Sequence, residues 1–174
     1  MKILEFEKLD STQKKAKEIA EISNPWTVIL AKEQCSGYGR KGNVWYSPKG
    51  GLYFSVILPK TKIDDVQMLT FLSAFCVAKI LHEELGIKPF IKWPNDIFLN
   101  GKKVCGILTE NVICGKDVKM SIIGLGLNTN IEMFPDDLKN IATSLKIELK
   151  RDFENRILLE KILKGLKEVF NIFY

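Results

Sequence analysis

Asn100-Gly101 is the feature that most limits what this chain can become. The dipeptide separates two β-rich runs, residues 97–99 and 102–111. Asn-Gly is the strongest short hairpin signal, because both residues tolerate the positive φ of a type I′ turn. The two runs are therefore expected to pair antiparallel. That pairing folds Lys92-Trp93-Pro94-Asn95-Asp96 back onto Lys102-Lys103-Val104-Cys105-Gly106. Asn95, Asp96 and Lys103 can then converge, although they are apart in sequence.

Around this hairpin the pattern predicts further elements. Apolar and polar residues alternate over 2–9, a strand signal. Helical spacing at Ala16, Ile19 and Ala20 predicts a helix over 13–22, with Asp10, Ser11 or Thr12 as its N-cap. Strands are predicted over 26–31, 52–58, 90–93 and 118–126, with turns at 94–96 and 114–117. A helix over 64–85 presents Val66, Leu69, Leu72, Cys76 and Ile80 on one face and ends at Gly86 and Pro89. A closing amphipathic helix over 152–173 puts Phe153, Ile157, Ile162, Leu166, Val169 and Phe170 on one side. Hairpin-joined strands and helices in blocks predict an α+β fold, a mixed, largely antiparallel sheet with helices packed on one side. No repeat or linker divides the chain, so one domain over residues 1–174 is expected.

Composition narrows the function. With 174 residues, 46% hydrophobic and 27% charged, the chain can bury a core, which excludes whole-chain disorder. It has no run of roughly 18 apolar residues, so no membrane span is expected. The first residues are acidic too early for a signal peptide, which makes the cytoplasm the expected compartment. Cys35, Cys76, Cys105 and Cys114 form no C-x-x-C pair, so neither a disulfide framework nor a tetrahedral zinc site is expected. The single histidine, His82, falls on a helix surface, and no residue is nominated as a metal ligand. The net charge of +5 is spread along the chain. It favours an anionic ligand or an acidic protein partner.

Three segments could carry chemistry. Residues 33–49 break all periodicity, and a structureless stretch of that length in a domain is usually functional. Within them, Gly37, Gly39 and Gly42 let the backbone approach a ligand, Arg40 and Lys41 bring positive charge, and Trp45 can stack on a planar group. The spacing is neither a Walker A loop nor a Rossmann turn. It suits a nucleotide phosphate or another anion, and also a flexible surface loop with basic ends. At the hairpin, Lys103 beside Asn95 and Asp96 can stabilise charge developing on an oxygen. Pro-Asn-Asp is equally an ordinary turn, and Lys102-Lys103 a solvated face. Finally, Gly124-Leu125-Gly126-Leu127-Asn128 marks either a close backbone approach or a bulge.

Taken in order, these segments resemble the biotin protein ligases over nearly the whole chain. Asp10-Ser11-Thr12 is similar to the family's D-S-T, and Gln34 to Gly42 to its Q-x-x-G-R-G-R-x-G loop. Lys92 to Asp96 is its K-W-P-N-D unchanged. Lys103 to Glu110 is similar to K-x-x-G-I-L-x-E, and Gly124 to Asn128 to G-x-G-x-N. Any one motif is weak evidence; five in order are not. The resemblance implies a catalytic domain related to class II aminoacyl-tRNA synthetases and lipoyl transferases. It implies that biotin attacks the α-phosphate of ATP, with Mg²⁺, giving biotinyl-5′-AMP and pyrophosphate. A lysine of a biotin carboxyl carrier domain then takes the biotinyl group.

Carried onto this sequence, the resemblance gives Ser11, Thr12 and Gln34 to the biotin ureido head. Gly37, Tyr38, Gly39, Arg40, Lys103 and Gly106 complete the biotin site. Arg40, Lys41, Trp45, Asn95 and Asn128 fall to the nucleotide. Lys103, Arg40 and Asp96 are the implied catalytic residues, with Asp96 orienting the incoming lysine or the metal. Tyr38 stands where the family usually has Arg or Lys, and Asn43 where a basic residue often follows the loop. Both remove positive charge near the phosphates, and Lys41 is placed to compensate. The family's C-terminal β-barrel domain and the DNA-binding winged helix of its repressor forms are not matched, so a minimal catalytic domain without operator binding is expected. It could be a monomer or a homodimer. A lipoate or octanoate transferase of the same superfamily, or a non-catalytic binder of biotin or biotinyl-AMP, are the alternatives.

Overall fold

A computed structural model describes residues 1–59, 66–114 and 117–173. Its strands are β1 (Lys2–Phe6), β2 (Thr27–Ala31), β3 (Leu52–Ile57), β4 (Phe90–Lys92), β5 (Asp96–Leu99), β6 (Lys102–Cys114) and β7 (Asp117–Leu127). They form one seven-stranded sheet in the order β1-β2-β3-β7-β6-β5-β4. The β1–β2 pairing is parallel and the others are antiparallel, the mixed α+β arrangement expected from the sequence. At the β5–β6 turn, Leu99 pairs with Lys102 across a two-residue loop. Asn100 and Gly101 have φ of 50° and 81°, as a type I′ turn requires.

Helices lie on both faces of the sheet, not on one as expected. Strand periodicity separates the faces, since neighbouring residues point oppositely. Val28, Phe54, Val56 and Ile123 join a large core with Val77 and Leu81 of α2 (Val66–Leu85) and Leu159, Leu163 and Leu166 of a fourth helix at Asn155–Phe173. Their neighbours Ile29, Ile57 and Ile122 face the other way, onto Ala16 and Ala20 at α1 (Thr12–Ile19). Small residues there let α1 sit close to the sheet. Ser11 caps α1, its Oγ accepting from Lys14 N at 3.4 Å.

A short α3 (Leu145–Leu149) precedes that last helix, α4 (Asn155–Phe173), and no expectation covered it. Within α4 the buried stripe runs through Leu158, Leu159, Ile162, Leu163, Leu166 and Phe170. Ile157, expected on that side, is 53% exposed, because it lies one helical step off the stripe. Gly165 lets α4 approach α2, since a Cβ there would meet Cys76 Sγ at 2.8 Å. In α2, Leu69, Cys76 and Ile80 are buried, Leu72 is half-buried, and His82 is exposed, its Nδ1 2.6 Å from Ile87 O. Gly86, at φ 68°, caps α2 through its N–H to His82 O. The expected helix start at Asp64 and the middle of the turn expected at 114–117 lie outside the described residues.

Candidate active site

On the α1 face, the alternation of β6 and β7 leaves a bare patch. Gly106 pairs with Gly126, and Leu108 with Gly124, so these residues share one face. Gly124 also pairs with Ser55 on β3. Three glycines at one side of the sheet open a hollow where side chains would stand. The hollow is needed: a Cβ on Gly126 would lie 2.2 Å from Trp45 Nε1, and one on Gly124 2.5 Å from Gln13 Oε1. The resulting cleft has a volume of about 320 Å³.

Its closed end is polar. Gln34 Oε1 accepts from Thr12 N at 2.8 Å and from Thr12 Oγ1 at 3.2 Å, while Gln34 Nε2 donates to Ser47 Oγ at 2.8 Å. Behind them, Ser55 Oγ lies 2.9 Å from both Thr12 Oγ1 and Gln13 Oε1. Gln13 Nε2 donates to Ile122 O at 3.3 Å. The N-terminus of α1 opens here, and Ser11, its cap, keeps a hydroxyl proton to give.

The open end is charged. Lys103 Nζ lies 2.8 Å from Asp96 Oδ1, which also accepts from Asn95 Nδ2 at 2.8 Å. Arg40 Nη1 reaches Asn95 Oδ1 at 3.3 Å. Trp45 packs over Gly106 and Gly126, with Lys103 Nζ 5.1 Å from its ring centroid. Among the described residues, Trp45 Nε1 is a buried donor with no partner.

Residues 37–45 form a hairpin over the cleft. Trp45 N donates to Gly37 O and Gly39 N to Asn43 O, both at 2.8 Å, and Tyr38 bridges Val44. Its tip is Arg40–Gly42, where Lys41 and Gly42 have φ of 58° and 75°. Tyr38 Oη donates to Glu110 Oε2 at 3.1 Å, and Lys17 Nζ to Glu110 Oε1 at 2.6 Å. Burial, and then the Glu110 charge, raise the Tyr38 phenol above its ordinary range. Burial alone would lower Lys17, but the Glu110 carboxylate outweighs it and raises it.

The cleft wall brings together Ser11, Thr12, Gln34, Tyr38, Gly39, Arg40, Lys41, Trp45, Asn95, Asp96, Lys103 and Gly106. Two sequence-derived candidates stand off it. Gly37 sits behind the wall, where a Cβ would strike Ser47 Oγ at 2.6 Å. Asn128 is 3% exposed, with its Nδ2 donating to Thr143 O at 3.0 Å and its Oδ1 unpartnered. The 141–143 segment, paired with Lys103 of β6, lies against it. Sequence reasoning gave Gly124 and Gly126 as a close backbone approach or a bulge without assigning them to the site, and it passed over Gln13; all three line the cleft. The G-x-G spacing carried the signal for the glycines, because alternation puts both on one face. Gln13 gave none.

Comparison with known proteins fits this geometry. Residues 5–128 match the Biotin/lipoate A/B protein ligase family. The chain is 46% identical over 142 residues to the bifunctional ligase/repressor BirA of Bacillus subtilis, covering 79% of this chain and 44% of that protein. It is 35% identical over 126 residues to the biotin–[acetyl-CoA-carboxylase] ligase of Paracoccus denitrificans, covering 68% and 51%. The chain thus spans about half the length of these relatives. A solved biotin protein ligase from Aquifex aeolicus, in complex with biotin and ATP, superposes with a TM-score of 0.89 at 32% identity, covering 99% of this chain and 71% of that one.

Proposed function

The chain belongs to the Biotin/lipoate A/B protein ligase family, and from that premise we propose that it attaches biotin to a lysine of a biotin carboxyl carrier domain, using ATP, through biotinyl-5′-AMP. The observation that carries this reading is one cleft with a polar closed end at Thr12 and Gln34 and the Lys103–Asp96 pair at its mouth. Such a cleft suits a ligand with an amide-like head and a carboxylate tail.

In this reading Ser11, Thr12 and Gln34 bind the ureido head, with Gly106 and Gly39 giving the ring and chain close backbone approach. Lys103 meets the biotin carboxylate and the α-phosphate together. A carboxylate oxygen attacks phosphorus, and pyrophosphate leaves with the bridging oxygen's electron pair. Lys103 holds the charge that spreads over the phosphoryl oxygens. Arg40, Lys41, Trp45 and Asn95 hold the nucleotide, and Asn128 supports them from behind. In the second step the carrier lysine, as a free amine, attacks the mixed anhydride; AMP departs and the amine loses a proton. Asp96 is placed to orient that amine. Most of the rate comes from positioning and from excluding water, which the hairpin provides.

Among the wall residues Asp96 is the carboxylate that could meet a Mg²⁺ ion. One carboxylate with substrate phosphates is a usual magnesium environment, and the ion would neutralise phosphate charge. We assign residues 1–174 to one catalytic domain. No helix among the described residues is long and apolar enough to cross a membrane, and the cytoplasm is the compartment we assign.

Lipoate is the second substrate to weigh. Its dithiolane ring has no groups to answer Thr12 and Gln34, so biotin is favoured. The test is pyrophosphate release by this chain with ATP, Mg²⁺ and either acid, without carrier. Release with biotin and not lipoate is expected; no release with biotin, or equal release with lipoate, overturns the reading.

A further inference from the structure

We infer that Tyr38, Glu110 and Lys17 form an anchor that holds the glycine-rich hairpin across the cleft before any ligand enters. Three separate elements meet there. Tyr38 stands on the hairpin, Glu110 on β6 and Lys17 on α1. Tyr38 Oη and Lys17 Nζ each take one oxygen of the Glu110 carboxylate, at 3.1 and 2.6 Å. The ammonium also lies 5.9 Å from the Tyr38 ring centroid. Both carboxylate oxygens are therefore engaged, and Glu110 is fixed from two sides. Residues 106, 108 and 110 alternate onto the cleft face of β6, so Glu110 stands in line with the cleft floor.

The hairpin's other end is held differently. Arg40 at the tip makes one 3.3 Å bond to Asn95 between exposed groups. Such contacts are worth little. The hairpin therefore has a held arm at Tyr38 and a loose tip at Arg40–Gly42. Only the tip has to move for a ligand to enter, and less chain is left to order on binding. Neither Lys17 nor Glu110 belongs to the site assigned above. The consequence for ligand retention rests on reading the cleft as the biotin site; the anchor itself does not.

Tyr38→Phe deletes one hydroxyl and keeps the ring. Amide hydrogen exchange of the ligand-free chain reads the result. Losing one charge-assisted hydrogen bond should speed exchange at 37–42 about five-fold or more. Amides of α2 should keep their rates, which separates an anchor from general loosening. Glu110→Ala should match Tyr38→Phe, and the double variant should add nothing. Glu110→Gln, which keeps an acceptor for Tyr38, should stay within about two-fold of wild type in this additive frame. Biotin dissociation should quicken about five-fold with Tyr38→Phe. Unchanged exchange at 37–42 in Tyr38→Phe overturns the anchor, as does equal loosening of α2. Faster exchange there in a chain that binds no biotin upholds the anchor and removes the functional reading instead.

Discussion

Lys103 Nζ sits 2.8 Å from Asp96 Oδ1, yet the two residues are not partners across the β5–β6 hairpin. Asp96 pairs with Gly106, and Lys103 with Phe98, with a register shift between Ile97 and Phe98. The Asp96 carboxylate therefore stands over a residue without a side chain, and the Lys103 side chain crosses to it along the diagonal. The backbone of Lys103 is clamped as well. Its N–H donates to Ile141 O at 2.8 Å, and its carbonyl accepts from Thr143 N at 2.9 Å. A lysine whose backbone is bonded on both sides to the 141–143 segment has little freedom to wander from the cleft mouth.

Lys103→Ala should therefore strike chemistry more than binding. The closed polar end is untouched, so biotin should still bind, while adenylate formation falls about 10²–10³-fold, as when an oxyanion donor is removed. Calorimetry for biotin and pyrophosphate release for the reaction measure the two effects. Adenylation at the wild-type rate would remove Lys103 from its role.

Gly126→Ala tests the floor of the cleft. The added methyl lies 2.2 Å from Trp45 Nε1, so the indole must leave its seat. Overpacking of this kind costs about 1–3 kcal/mol. The melting temperature should fall, and ATP affinity with it. In a Trp45→Ala background the clash with the indole is gone, and the two losses should not add. A full additive loss would show that Gly126 is needed for some reason other than the indole.

How much of this was legible depends on the range of the interaction. The Asn100-Gly101 turn is a local matter of allowed φ, and its position and type followed from two letters. So did the α2 stop at Gly86. The convergence of Asn95, Asp96 and Lys103 was legible because a two-residue turn fixes register. The face on which α1 packs was not, since Ala16 and Ala20 read equally well on either side of a sheet. Nor was Ile157, whose exposure depends on where α4 rests against α2. The pairing of 141–143 with Lys103 joins segments with no local signal, so α3 and the burial of Asn128 could not be foreseen. The assignment of biotin roles came from the motifs as a set, and not from the period of any one strand.

Cys76 gives a pH dependence. Burial, and then the Glu168 charge, push its thiol up to about 12 from an ordinary 9.0. In the unfolded chain it ionises near the ordinary value, so folding is favoured fully below pH 9 and the advantage is lost as pH climbs toward 12. The loss is about 1.4 kcal/mol per pH unit from this group. Denaturant midpoints for wild type and Cys76→Ala at pH 8 and pH 10.5 should converge, with the wild type losing more. Parallel curves would mean that the thiol is solvated.

Ser55→Ala should weaken biotin binding although Ser55 is not itself part of the cleft wall. Ser55 is fully buried on β3, and its Oγ lies 2.9 Å from Thr12 Oγ1 and from Gln13 Oε1. It ties the N-terminus of α1 to the sheet behind the polar end. Without it, Gln13 Oε1 has no other hydrogen bond among the described contacts, and Thr12 is free to turn away from Gln34. An unsatisfied buried acceptor costs about 1–3 kcal/mol. Part of that should appear in the melting temperature, and part as a rise of about tenfold in the biotin Kd, at 1.4 kcal/mol per decade. ATP affinity should not change, because the nucleotide residues lie at the other end of the cleft. Ser55→Thr keeps the hydroxyl, and Ser55→Cys the size, so the pair separates hydrogen bonding from packing: biotin affinity should follow the hydroxyl. Loss of ATP affinity in Ser55→Ala, equal to that for biotin, would show that the two ends of the cleft are not independent.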